Sequence, residues 1–177
     1  GEKMRVYNLA VQYYPEDWRG HNNVGYVYYM QNDLANAKTN FEKANGANEN
    51  PVTLNNLGIL ARIDGDRDKA TELLNSAVSA GSEVKYNLGI IDIQNGNYSE
   101  ASGNMGSENT FNKALAQTLD ADYSSALTTI YASQDAESAI GYYLKAIIGA
   151  RQNNLDMLVN NLKSAVAKDS SLKAKAS

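Results

Sequence analysis

Cysteine is absent from all 177 residues, which removes any disulfide framework, thiolate zinc site, iron–sulfur cluster or cysteine nucleophile. Histidine occurs once, as His21, so a multi-histidine metal site is excluded and a serine-hydrolase triad would depend on that one imidazole. Basic residues are outnumbered, 16 against 20 acidic ones, and the resulting net charge of −4 is the wrong sign for gripping a phosphate backbone. No apolar run approaches the length needed to cross a bilayer, and no charged-then-apolar signal peptide opens the chain. With 43% hydrophobic and 20% charged residues, the chain is not a disordered tail. What is abundant instead is asparagine, 22 residues, beside 12 tyrosines.

Much of that excess recurs in register. Asn22-Asn23-Val24-Gly25-Tyr26 is echoed by Asn55-Asn56-Leu57-Gly58-Ile59 and by Tyr86-Asn87-Leu88-Gly89-Ile90. Ala114 (Phe111-Asn112-Lys113-Ala114) and Ala146 (Tyr143-Leu144-Lys145-Ala146) take the glycine place in two further copies. Eight residues after each small residue stands an N-cap type: Asp33, Asp66, Asn97, Asp122 and Asn154. The residues before them are Asn32, Gly65, Gly96, Ala121 and Asn153, four of which tolerate the left-handed conformation that ends a helix. Leu34, Ala37, Phe41 and Ala44 make one apolar stripe at helical spacing, and no stretch alternates with period two. The unit is helix, tight turn, helix, with the small residue letting the two helices approach.

These markers resemble the tetratricopeptide repeat, with its Trp, Leu-Gly, Tyr, then Ala and Phe pattern. Val24-Gly25, Tyr28, Ala37, Phe41 and Ala44 match in the first unit, with His21 at the tryptophan place; Leu57-Gly58, Ala70, Leu74 and Ala77 match in the second; Leu88-Gly89 and Ala101 match in the third. The resemblance implies an all-α, right-handed α-solenoid of antiparallel helix pairs. We expect a closing helix of a truncated repeat at 1–17, then five pairs at about 18–50, 51–81, 82–106, 107–138 and 139–172, and the start of a further segment at 173–177, all in one solenoid domain. The chain ends lead us to expect a piece of a longer protein. Asn55-Asn56-Leu57-Gly58 and Lys85-Tyr86-Asn87-Leu88-Gly89 are also similar to repeat regions of envelope-associated proteins of Gram-negative bacteria, which favours the periplasm or envelope over the cytoplasm.

The third unit departs from the pattern. Only 25 residues separate Gly89 from Ala114, and the stretch from Ala101 to Thr110 holds two glycines and no core aromatic. A shortened repeat is expected there, with its second helix stopping near Asn104.

Catalytic and metal chemistry find little support. Asp64-Gly65-Asp66-Arg67-Asp68 opens like a calcium loop, but Lys69 stands at the glycine place and Asn75 at the bidentate glutamate place, and the aspartates coincide with the turn and cap. His21 falls where a packing residue belongs. No glycine-rich phosphate loop is present, so no catalytic residue, metal ligand or cofactor is assigned.

In the repeat family the first helices line the concave face, so the resemblance places a ligand groove there. Asn23, Asn56, Asn87 and Asn112 precede the small residue by two, where an asparagine holds a peptide backbone or contacts a neighbouring helix. Arg19, Asn22, Tyr26, Tyr29, Asn55 and Arg62 add to the groove, as do Tyr86, Phe111 and Tyr143. Arg19, Asn23 and Asn56 fit a clamp for a C-terminal carboxylate, but Glu83 in the third unit would repel that ligand. The expected function is a non-catalytic scaffold for a protein or peptide partner, without nucleic acid or membrane insertion. The alternative is a structural spacer in a larger envelope protein.

Overall fold

The computed structural model describes residues 1–175, so the segment expected at 173–177 lies partly outside the described residues. Among the described residues it is all helical, without a strand. The α-helices in chain order are α1 (Glu2–Tyr13), α2 (Trp18–Met30), α3 (Leu34–Ala47), α4 (Pro51–Ile63), α5 (Arg67–Ser76), α6 (Ser82–Asn95), α7 (Tyr98–Asn104), α8 (Phe111–Leu119), α9 (Tyr123–Ala132), α10 (Ala139–Arg151) and α11 (Leu155–Lys168). Short 3-10 turns follow at Val78–Ala80 and Ser170–Lys175. Consecutive helices pack as pairs, α2 with α3, α4 with α5, α8 with α9 and α10 with α11. This is the helix-pair architecture of an α-solenoid with a shortened third repeat.

The turns follow from their residues. Asn32, Gly65, Gly96, Ala121 and Asn153 all have positive φ, between 55° and 85°. Ala121, at φ 62°, thus adopts a conformation that its Cβ disfavours, because the turn geometry is imposed by the helices on either side. Four of the five following caps accept from the backbone three residues on: Asp33 from Asn36 N at 3.2 Å, Asp66 from Lys69 N at 3.1 Å, Asp122 from Ser125 N at 3.1 Å and Asn154 from Met157 N at 3.0 Å. Asn97 occupies the same place without a side-chain cap bond. Asn50 opens α4 differently: its Oδ1 accepts from Val52 N and Thr53 N, and Thr53 Oγ1 accepts back from Asn50 N, with Pro51 in the first turn.

The chain divides into two compact units, one of Gly1–Ile91 and one beginning at Asp92. In the first, Phe41 and Leu60 pack with Ala37 beneath Tyr28 and Tyr29, while Leu54, Leu74, Val84, Leu88 and Ile91 form a neighbouring cluster with Ala70 and Ala77. The small residues set the helix spacing. A Cβ on Gly25 would lie 2.7 Å from the Phe41 ring, and one on Gly58 would lie 2.8 Å from Leu74 Cγ. In the second unit, Ile130, Leu144 and Ile148 pack with Ala114 and Ala126. There α7 has seven residues and ends at Asn104, whose Nδ2 donates to Asp92 Oδ2 at 2.8 Å. Met105 is then buried, Gly106 turns the chain at φ 70°, and Lys113 Nζ holds the Gly106 carbonyl at 2.6 Å. These bonds fasten the start of the loop that follows α7.

Candidate functional site

The first helices of successive repeats are joined by side-chain amides. Asn56 Nδ2 donates to Asn22 Oδ1 at 2.8 Å, joining α4 to α2, and Asn87 Nδ2 donates to Asn55 Oδ1 at 3.0 Å, joining α6 to α4. In both rungs the residue two before the small one meets the residue three before the small one of the preceding repeat. Asn55 is buried in this arrangement, and Asn22, Asn56 and Asn87 are half-buried. Each rung uses one amide hydrogen and one oxygen, so an interior carboxamide that would otherwise lose its hydration is hydrogen-bonded.

Beside these rungs, Tyr26, Tyr29, Asn55 and Asn56 line one cavity of about 220 Å³. Phe41, Ile59 and Glu83 complete its wall. Tyr26 is exposed and Tyr29 half-buried, and their rings lie 6.4 Å apart with planes tilted by 31°, within the range of favourable aromatic pairs. The opening therefore offers aromatic faces, carboxamides and one carboxylate. The Glu83 carboxylate on its rim disfavours an anionic ligand.

Other expected groove residues are placed differently. Arg19 folds back on Asp17, its Nε 2.9 Å from Oδ1 and its Nη2 2.6 Å from Oδ2. That hydrogen-bonded guanidinium, with the Arg19 backbone N–H, holds the Asp17 carboxyl below its ordinary pKa, and Asp17 in turn raises that of Arg19. Arg62 is half-buried, with its Nε enclosed and lacking a hydrogen-bond partner. Asn23 and Tyr86 are half-buried in the first unit. In the second unit Phe111 packs against the core around Ile130, while Asn112 and Tyr143 are half-buried.

One polar centre escaped the repeat pattern. Lys145 of α10 is only 3% exposed, and its Nζ donates to the Ala136 carbonyl at 2.6 Å. The same nitrogen lies 4.2 Å from the centre of the Tyr142 ring and 4.8 Å from that of Tyr131. Burial pushes the ammonium below the ordinary lysine pKa, opposed by the charge of Glu137. In sequence Lys145 reads as a surface lysine, because its aromatic partners come from α9 and from its own helix. This centre fastens the loop between α9 and α10.

The aspartate-rich turn is occupied structurally. Asp66 caps α5, and Asp64 Oδ2 lies 3.9 Å from Lys38 Nζ. Among the described residues no group of three or more His, Asp or Glu side chains is arranged to hold a metal ion. Among the same residues no helix is long and apolar enough to cross a membrane.

Comparison with known proteins agrees with the architecture. Residues 19–51 match the family model of the tetratricopeptide repeat. Over 111 residues the chain is 29% identical to the BBSome complex member BBS4 of Bos taurus, a match that takes in 61% of this chain and 21% of that relative. The chain thus spans about a fifth of the curated relative's length. Among solved structures, that of YrrB, a TPR protein with an unusual peptide-binding site, superposes with a TM-score of 0.75 at 18% identity, covering 96% of this chain and 97% of YrrB. The structure of pilF from Pseudomonas aeruginosa superposes with a TM-score of 0.70 at 17% identity, covering 88% of this chain and 78% of the other. Helices α2 and α3 thus match the tetratricopeptide-repeat family model, and along nearly the whole chain the fold is that of tetratricopeptide-repeat solenoids.

Proposed function

We propose that this chain is a non-catalytic scaffold whose repeats, residues 18–172, bind an extended peptide or partner surface along the first helices. The observation that carries this reading is the convergence of Tyr26, Tyr29, Asn55 and Asn56 on one cavity beside the amide rungs. The rung between Asn56 and Asn22 leaves the Asn22 amino group and the Asn56 oxygen for a further partner, a donor and an acceptor of the kind a peptide backbone engages. The tyrosines supply rigid apolar contact at small entropic cost. Glu83 and the net charge of −4 favour a neutral or basic protein segment over nucleic acid. The fold suits protein-interaction scaffolds, and YrrB provides a peptide-binding example among its structural neighbours.

The test is capture of partners from native extract by the wild-type chain and by a Tyr26→Ala/Tyr29→Ala variant whose helicity is checked by circular dichroism. Loss of specific partners in the folded variant supports the groove; an unchanged partner set removes it.

A second reading, a structural spacer in a larger bacterial envelope protein, is favoured by the same rungs. They direct Asn55, Asn56 and Asn87 toward neighbouring helices, as stacking alone requires. An identical partner set with the tyrosines removed would favour this reading.

A further inference from the structure

Helix α4 divides its residues between two openings. Asn55, Asn56 and Ile59 line the cavity beside Tyr26. Leu54, Leu57, Ala61 and Asp64 line a second one of about 590 Å³. At about 100° per residue the two sets fall on opposite faces of the helix. The walls of the larger opening are α3, through Lys38, Glu42 and Asn45, and α5, through Lys69, Glu72 and Leu73. It is a groove between second helices, separate from the surface of the proposed function, and its size is that of ordinary ligand pockets.

Its chemistry is uneven. Leu57, Leu60, Ala61 and Leu73 provide an apolar floor. Around it stand five carboxylates, from Glu42, Glu49, Asp64, Asp66 and Glu72, against the two ammonium groups of Lys38 and Lys69. Both lysines are already engaged, Lys38 with Asp64 at 3.9 Å and Lys69 with Glu72 at 3.0 Å, while Asp66 caps α5. The excess negative charge is therefore carried by Asp66, held at the start of α5, and by Glu42 and Glu49 on the α3 side. The groove is also held in shape: the fully buried Thr53 donates from Oγ1 to Asn45 Oδ1 at 2.7 Å, tying the start of α4 to the wall formed by α3.

We propose that this groove is a second docking face and that its occupant is a basic amphipathic helical segment of a partner protein. The segment's apolar stripe covers the half-buried Leu57, Ala61 and Leu73, and lysines or arginines on one flank face Glu42 and Glu49. An acidic segment of equal hydrophobicity is repelled at the same rim. Occupation of this face leaves Tyr26 and Tyr29 accessible, because those residues border the opposite face of α4.

The test uses the whole chain and two synthetic peptides that share leucines at helical spacing, one flanked by lysines and one by glutamates. Binding is read by fluorescence anisotropy, and the site by methyl chemical shifts of Leu57, Ala61 and Leu73. The lysine peptide is expected to bind and shift those methyls. A Glu42→Lys/Glu49→Lys variant, altered at two exposed positions, is expected to weaken it roughly tenfold, and Tyr26→Ala, at an exposed tyrosine outside the cluster beneath the groove, to leave it unchanged. Absence of binding at millimolar peptide, equal binding of the glutamate peptide, indifference to the charge reversal, or loss through the tyrosine variant would each overturn the proposal. That last result would place the peptide in the tyrosine cavity instead and leave the proposed function standing.

Discussion

The carboxamide of Asn56 donates to that of Asn22 at 2.8 Å, a contact between residues 34 positions apart that joins the first helices of adjacent repeats. Because both groups are half-buried, loss of either leaves a partner imperfectly hydrated. Asn56→Ala and Asn22→Ala are each expected to destabilise the fold by about 0.5–1.5 kcal/mol. In urea denaturation of the double-mutant cycle the two effects should fall short of additivity, because they remove the same bond. Full additivity would show that the bond contributes nothing to stacking.

Two glycines on either side of one helix pair should respond oppositely to alanine. A Cβ at Gly25 meets the Phe41 ring at 2.7 Å, in a core where that ring is 2% exposed, so Gly25→Ala is expected to cost about 1–3 kcal/mol. Gly46, in α3, has nothing within 4 Å of its would-be Cβ, and Gly46→Ala should gain up to about 1 kcal/mol from helix propensity. Thermal or denaturant unfolding of the two variants gives the signs directly.

Ala121 sits at φ 62° in the turn before the α9 cap, where the other repeats place asparagine or glycine. Ala121→Gly relieves the strained Cβ while adding chain entropy to the unfolded state, and the balance is an expected gain of about 0.5–1 kcal/mol. A destabilised glycine variant would mean that the turn at Ala121 carries no strain.

Lys145 predicts a pH dependence of definite sign. Its folded pKa is lowered by burial, so between that value and the ordinary lysine value the unfolded chain binds more protons than the folded one. Its contribution to stability therefore rises with pH through that window and is flat above it. Below the folded pKa the contribution is also constant, because both states are protonated. Unfolding free energies of wild type minus Lys145→Met, measured from neutral pH to about pH 11, should increase through the window. A level or falling difference contradicts the burial argument.

What could be seen in the chain beforehand was local. The caps Asp33, Asp66, Asp122 and Asn154 make the bonds that their types and places imply, because cap and recipient N–H lie three residues apart in one turn. Gly25 and Gly58 were recognisable as close-approach positions because a recurring small residue at fixed spacing implies a facing helix. The end of α7 at Asn104 followed from two glycines and missing apolar residues. The partner of Asn56 was less accessible, since Asn22 and Asn23 are both candidates and lie one residue apart. Which of them faces α4 depends on the offset between two packed helices.

The same division holds for the molecule as a whole. Periodicity, caps and small-residue spacing determined that the chain forms helix pairs in repeating register, because those signals act over a few residues and along one helix face. The tertiary structure alone decided that Tyr131 of α9 lies against Lys145 of α10, and that α4 carries a tyrosine cavity on one side and an acid-rimmed groove on the other. These relationships depend on how far apart neighbouring helices sit and how they are rotated, which is set by the sum of the core contacts rather than by any single stretch of sequence.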